Sequence, residues 1–162
     1  MAERLIKDVA REDAATVLAD YWNDQFPVDP FTIAEKLGIK VWASDLPEHV
    51  SGLLVKQENS APEIHISRSE GRARQRFTCA HEIGHFIDRR NHGDLEYGFE
   101  DGRDDTPKTP IEFYADHFAA NLLMPSLKFQ SKLDAGYTPA DLMEFFGVSR
   151  TALDVRTRSL GL

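Results

Sequence analysis

Two imidazoles stand four residues apart in the stretch Phe77-Thr78-Cys79-Ala80-His81-Glu82-Ile83-Gly84-His85-Phe86. On a helix of about 3.6 residues per turn, His81 and His85 share one face, one turn apart. From there both rings can offer a nitrogen to a single tetrahedral zinc ion at about 2.0–2.1 Å. Glu82, beside the first imidazole, is placed to take a proton from a water molecule activated by that ion. Two histidines alone do not make such a site. The same spacing serves an ordinary helix with two surface histidines, and zinc needs at least a third ligand.

The chain supplies a candidate. Residues Ile111–Met124 have helical periodicity, with Phe113, Ala115, Phe118, Ala119, Leu122 and Leu123 on an apolar face that Pro125 ends. Glu112 and Asp116, four apart, share a face of their own. Glu112 lies 27 residues beyond His85, enough chain to reverse and bring the two helices side by side, so Glu112 is the expected third ligand. Asp116 is expected to accept the free N–H of a ligating imidazole and so fix its tautomer and orientation; which imidazole it holds is not legible. A third histidine in the metzincin arrangement would need Gly at 88 and His at 91, where this chain has Asp88 and Asn91, with His92 out of register. His117 points about 100° away from Asp116 around the helix and reads as a rim or structural residue.

Composition bounds the rest. A chain of 162 residues can bury a core without disulfides or a metal staple, and is expected to form one domain. No apolar run approaches the roughly 18 residues of a membrane span. The charged start, Glu3-Arg4-Leu5-Ile6-Lys7-Asp8, is unlike a signal peptide. One cysteine cannot form an internal disulfide, which fits a reducing cytoplasm. The net charge of −8, from 19 Lys and Arg against 27 Asp and Glu, argues against a large phosphate-binding surface.

Several elements must hold the candidate ligands. Residues 3–22 pattern as an amphipathic helix, with Leu5, Ile6, Val9, Val17, Leu18, Tyr21 and Trp22 expected in the core. Asp29 can cap a short helix with Pro30 at its first position and Gly38 past its end. Three strand-like runs follow, Ile39–Ala43, Gly52–Lys56 and Glu63–Ser67. In the last, Ile64 and Ile66 should face the core and His65 away from it. Ser67-Arg68-Ser69-Glu70 has capping-box spacing, so the helix bearing His81 and His85 is expected to begin near there and run to about Arg90. Gly84 costs about 1 kcal/mol inside a helix relative to alanine, so something should pack or bind close to its backbone. Cys79 points away from the histidine face and reads as a small core residue.

Residues 91–110 lose all periodicity and are strongly acidic, with Asp94, Glu96, Glu100, Asp101, Asp104 and Asp105. They read as a long loop that either helps form a substrate cleft or is simply solvated. After Pro125 two short helices are expected, capped by Thr138-Pro139 and Ser149. The string Phe146-Gly147-Val148-Ser149-Arg150, followed by Arg156 and Arg158, has the look of a helix-turn-helix, although a hairpin packed on the core fits an acidic molecule better.

Taken together, Phe77-Thr78-x-Ala80-His81-Glu82-x-Gly84-His85 and Glu112-x-x-Ala115-Asp116-x-Phe118-Ala119-Ala120-x-Leu122-Leu123-Met124-Pro125 resemble the ImmA/IrrE family of zinc metallopeptidases, and the similarity runs from about Pro27 to the end of the chain. The resemblance implies an α+β, zincin-like domain: a small sheet of three strands or slightly more packed on the active-site helix. An N-terminal helix would occupy 1–25, a catalytic core 30–125 and a C-terminal helical hairpin 126–162. It implies zinc on His81, His85 and Glu112, with Glu82 as general base. It further implies a cytoplasmic bacterial or phage-derived enzyme that cuts a helix-turn-helix repressor encoded nearby. The alternative is a non-cleaving partner of a repressor or toxin–antitoxin pair. Two positions depart from the family pattern: Cys79, where a larger aliphatic residue is usual, and Asp116, where Asn is common. Substrate is expected to add as an extended strand to a sheet edge near Glu63–Ser67, with His117 and Tyr114 as candidate oxyanion donors.

Overall fold

A computed structural model describes residues 2–102 and 108–162; Asp104 and Asp105 of the acidic stretch lie outside the described residues. Its elements follow from local chemistry. Helix α1 (Ala2–Tyr21) buries Ala10, Ala14 and Val17, while Leu5 and Val9 are largely exposed. The inward stripe of α1 is thus built on small alanines, which let it lie close to its neighbour, and Leu5 and Val9 are not core as expected. Helix α2 (Pro30–Lys36) is capped by the Asp29 carboxylate, which accepts from the Phe31 and Thr32 amides, and Gly38 follows at φ 82°.

Strands β1 (Lys40–Ser44), β2 (Val50–Lys56), β3 (Glu63–Ser67) and β4 (Tyr97–Gly102) form one sheet in the order β1-β3-β2-β4. β1 and β3 are parallel; β2 is antiparallel to both β3 and β4. Two expectations are corrected here. β3 lies inside the sheet, so Glu63–Ser67 is not an edge to which a substrate could add; the edges are β1 and β4. And the acidic stretch is not wholly irregular, because Tyr97–Gly102 pairs along β2. The alternation in β3 is as expected: Ile64 and Ile66 are buried, and His65 on the other face bonds the Ser44 hydroxyl at 2.9 Å.

Helix α3 (Arg72–Asn91) packs across β2 and β3, and α4 (Pro110–Leu123) lies along α3 with α1 on its other side. α3 starts later than the capping-box spacing implied. Its cap residue is Gly71, without a side-chain bond, and the Ser67 hydroxyl instead meets that of Ser69 at 2.9 Å. α4 is capped by Thr109, whose hydroxyl accepts from the Glu112 amide at 3.3 Å.

Three helices, not two, follow Pro125: α5 (Ser126–Asp134), α6 (Pro139–Phe146) and α7 (Arg150–Ser159). Thr138 and Asp141 form a reciprocal capping box, Gly147 turns at φ 65°, and Ser149 caps α7. Phe129, Phe146, Val148 and Leu153 join the same core as α3 and α4. Two buried arginines tie this end down. Arg76 of α3 donates to the carbonyls of Gly147 and Val28, and Arg156 of α7 donates to the Met124 carbonyl and the Asn121 side chain. With Arg156 turned inward and Arg150 paired to Asp154 at 2.9 Å, the turn-like tail presents few of its cations to a duplex.

Candidate metal centre

The two-helix contact that the site needs is made at Gly84. A methyl group there would come within 3.1–3.2 Å of the Phe118 side chain and the Ala115 Cα. The missing side chain therefore lets α3 and α4 approach almost backbone to backbone, which answers the expectation that something lies against that turn. One turn to either side, the closeness brings the polar faces together.

Glu112 meets both imidazoles, Oε2 at 3.0 Å from His81 Nε2 and Oε1 at 3.2 Å from His85 Nε2. Asp116 accepts from His81 Nδ1 at 2.9 Å, and Lys108 Nζ holds its other oxygen at 2.7 Å. With Nδ1–H committed to Asp116, Nε2 is the atom that faces the cluster and that would give its lone pair to a bound ion. Of the two imidazoles it is His81 that Asp116 meets, a choice left open by the sequence.

A fourth group arrives from β4. Asp101 Oδ1 lies 3.4 Å from His81 Nε2, and its Oδ2 lies 3.3 Å from His85 Nε2. His81, His85, Asp101 and Glu112 each offer an atom, all within 4.8 Å of one another. Asp101 was not singled out among the acidic residues of its stretch. The available signal was the alternation Tyr97, Phe99, Asp101, which puts the three on one strand face; there Phe99 stacks flat on His85, with ring centres 4.2 Å apart at 3°.

These separations fit a metal ion. Two donors at about 2.0–2.1 Å on a tetrahedral ion stand about 3.3–3.4 Å apart, close to the 3.0–3.4 Å between the imidazole nitrogens and the two carboxylates. The electrostatics agree. Four carboxyls, those of Glu82, Asp101, Glu112 and Asp116, gather around two imidazoles, a set of donors that suits a divalent cation. Burial opposes charge on His81, but its bonds to Asp101, Asp116 and Glu112 outweigh that and hold it well above the ordinary histidine range. Burial likewise opposes ionisation of Asp101 and Glu112, while the imidazoles pull both below the usual carboxylate range.

Glu82 is fully buried, and neither of its carboxyl oxygens has a hydrogen-bond partner among the described residues. Burial first, then the neighbouring Asp101, pushes it well above the ordinary carboxylate range. Strand β2 lies directly over it. A methyl on Gly52 would come 3.2 Å from Glu82 Oε2 and 2.5 Å from the Thr78 methyl. A carboxyl in such a place is poised to gain a proton.

A cleft of about 400 Å³ opens beside the cluster, lined by His81, Asp101, Glu112 and Asp116 and continued by Phe113, His117 and Val155. A larger depression of about 770 Å³, around Phe31, Trp42 and Arg72, shares no residue with the cluster. Of the candidate oxyanion donors, His117 lines the cleft, whereas the Tyr114 hydroxyl is spent on Asp13 at 2.6 Å between α4 and α1. Cys79 is wholly buried in the core, as expected.

A family profile, that of the IrrE N-terminal-like domain of peptidases, matches residues 34–158. The chain belongs to this family. No curated protein matches it significantly. The α+β fold is that of a zincin-like member of the IrrE-like peptidases. Family and donor geometry together point to a metal ion at the cluster and a metallopeptidase. Among the described residues no helix is long and apolar enough to cross a membrane.

Proposed function

We propose that this IrrE-like chain is a zinc-dependent endopeptidase acting as one cytoplasmic domain. His81, His85 and Glu112 would hold the ion, Asp116 would orient His81, and Glu82 would serve as general base. The observation that carries the reading is the meeting of Glu112 with both imidazoles beside a buried, unpartnered Glu82. When bound, zinc supplies Lewis acidity toward the scissile carbonyl and toward water.

The protein's own groups do the rest. Glu82 takes a proton as water adds to the peptide carbon, then delivers it to the departing amine nitrogen. Asp116, braced by Lys108, keeps His81 in one tautomer throughout. The 400 Å³ cleft would admit the chain on either side of the bond, and the edge strand that borders it is β4.

The family resemblance supports a helix-turn-helix repressor as substrate. The test is incubation with a helix-turn-helix repressor from the same genome, with and without a chelator. New fragments that disappear with chelator support the peptidase. An intact partner in a stable complex would instead support a non-cleaving member of a repressor or toxin–antitoxin pair, a reading favoured by the fourth donor, Asp101, which leaves less room at the ion.

A further inference from the structure

Resting on the metal-centre reading, we infer that Asp101 is a fourth protein donor that closes the centre, and that a peptide carbonyl reaches the ion only once Asp101 has moved off it. Asp101 approaches the imidazole nitrogens at 3.4 and 3.3 Å, nearly as Glu112 does at 3.0 and 3.2 Å. Two imidazoles and two carboxylates make four donors, the full tetrahedral complement of a closed site; a catalytic site keeps one position open. Asp101 therefore stands where substrate must go.

Its placement is built into the sheet. The pairing of β4 with β2 is irregular between Val50 and Gly52, opposite Asp101 and Gly102. An extra residue in one strand re-aims the side chains across from it and is common beside active sites. Gly102 is glycine where a methyl would meet the His49 carbonyl oxygen at 2.5 Å, so the end of β4 runs close to the segment before β2. Phe99, on the same strand face, lies flat on His85. The result is a carboxylate held over the ring nitrogens, its two oxygens 3.4 and 3.3 Å from His81 Nε2 and His85 Nε2.

Asp101 is also the donor freest to leave. His81, His85 and Glu112 stand on two helices packed on each other at Gly84. Among the described residues, the strand that carries Asp101 is an edge strand bonded to β2 alone. Displacing the end of such a strand breaks fewer contacts than separating the helices. The closed centre is then the resting form, and cleavage follows the fraction of molecules in which Asp101 has moved off the ion.

The experiment uses the full chain loaded with Co(II) and acetohydroxamate as the probe of an open position. The Asp101→Ala protein is expected to bind acetohydroxamate roughly tenfold or more tightly than wild type, because the open fraction limits apparent affinity. Its visible Co(II) absorption should change and its Co(II) affinity, by chelator competition, should fall. Asp101→Asn, close in shape, should behave likewise and guards against a folding defect in the alanine variant. If both variants match wild type in spectrum and acetohydroxamate affinity while His81→Ala loses Co(II), the inference is overturned and the metal centre stands. If neither wild type nor the Asp101 variants bind Co(II), the metal-centre reading itself falls.

Discussion

Glu82 carries two oxygens into a fully buried place with no partner among the described residues, an arrangement that stability alone does not explain, since a buried unpaired polar group costs about 1–3 kcal/mol. Replacing it with glutamine keeps the shape and removes the proton carrier. Glu82→Gln is expected to bind zinc as wild type does and to lose cleavage by about 10²–10⁴-fold, read as zinc content beside fragment yield. Wild-type cleavage by that variant would remove Glu82 from the chemistry. Asp116 acts one bond further out. Asp116→Ala should weaken zinc binding by about 10–100-fold in chelator competition; no change would mean that the Nδ1 contact is incidental. At this scale most of the site was legible, because helical spacing fixes which of His81, His85, Glu112 and Asp116 share a face. Asp101 was not, since a strand carboxylate in an acidic run has no spacing signature and its place depends on pairing with β2.

Gly84 shows how an element-level cost becomes a site. Its helix penalty was visible in the sequence, and the structure gives the return: the close approach of α3 and α4. Gly84→Val is expected to destabilise the fold by about 1–3 kcal/mol through overpacking and to weaken metal binding as Glu112 is pushed from the imidazoles. Denaturant unfolding and zinc titration check the two effects; a variant unchanged in both would mean the contact is slack. Arg76 plays a similar part for the tail, and Arg76→Met should lower stability by about 1.5–3 kcal/mol, the range for hydrogen bonds to a charged group, measured the same way. Several boundaries were misread for physical reasons. Pro125 ends α4 as expected, but it also stands at the N-cap of α5, a helix that begins without a side-chain cap and so carries no start signal. The Ser67–Glu70 spacing mimicked a capping box whose first hydroxyl is used elsewhere. β4 was missed because its alternation, Tyr97, Phe99, Asp101, is short and set in acidic residues.

The whole molecule reads as a sheet and two helices arranged around a cluster of carboxyls and imidazoles, in a chain already at net charge −8. A cation bound there binds the folded state and not the unfolded one, so zinc at 100 times its dissociation constant should stabilise by about 2.7 kcal/mol and raise Tm by roughly 5–10 °C. Calorimetry with and without chelator reads that shift. The most direct test of the account is an anomalous difference map from zinc-soaked crystals, collected at the zinc edge. The account predicts one strong peak at about 2.0–2.2 Å from His81 Nε2, His85 Nε2 and a Glu112 oxygen, with an Asp101 oxygen at the fourth position. A map with no peak there, or with its peak held by other residues, would contradict it.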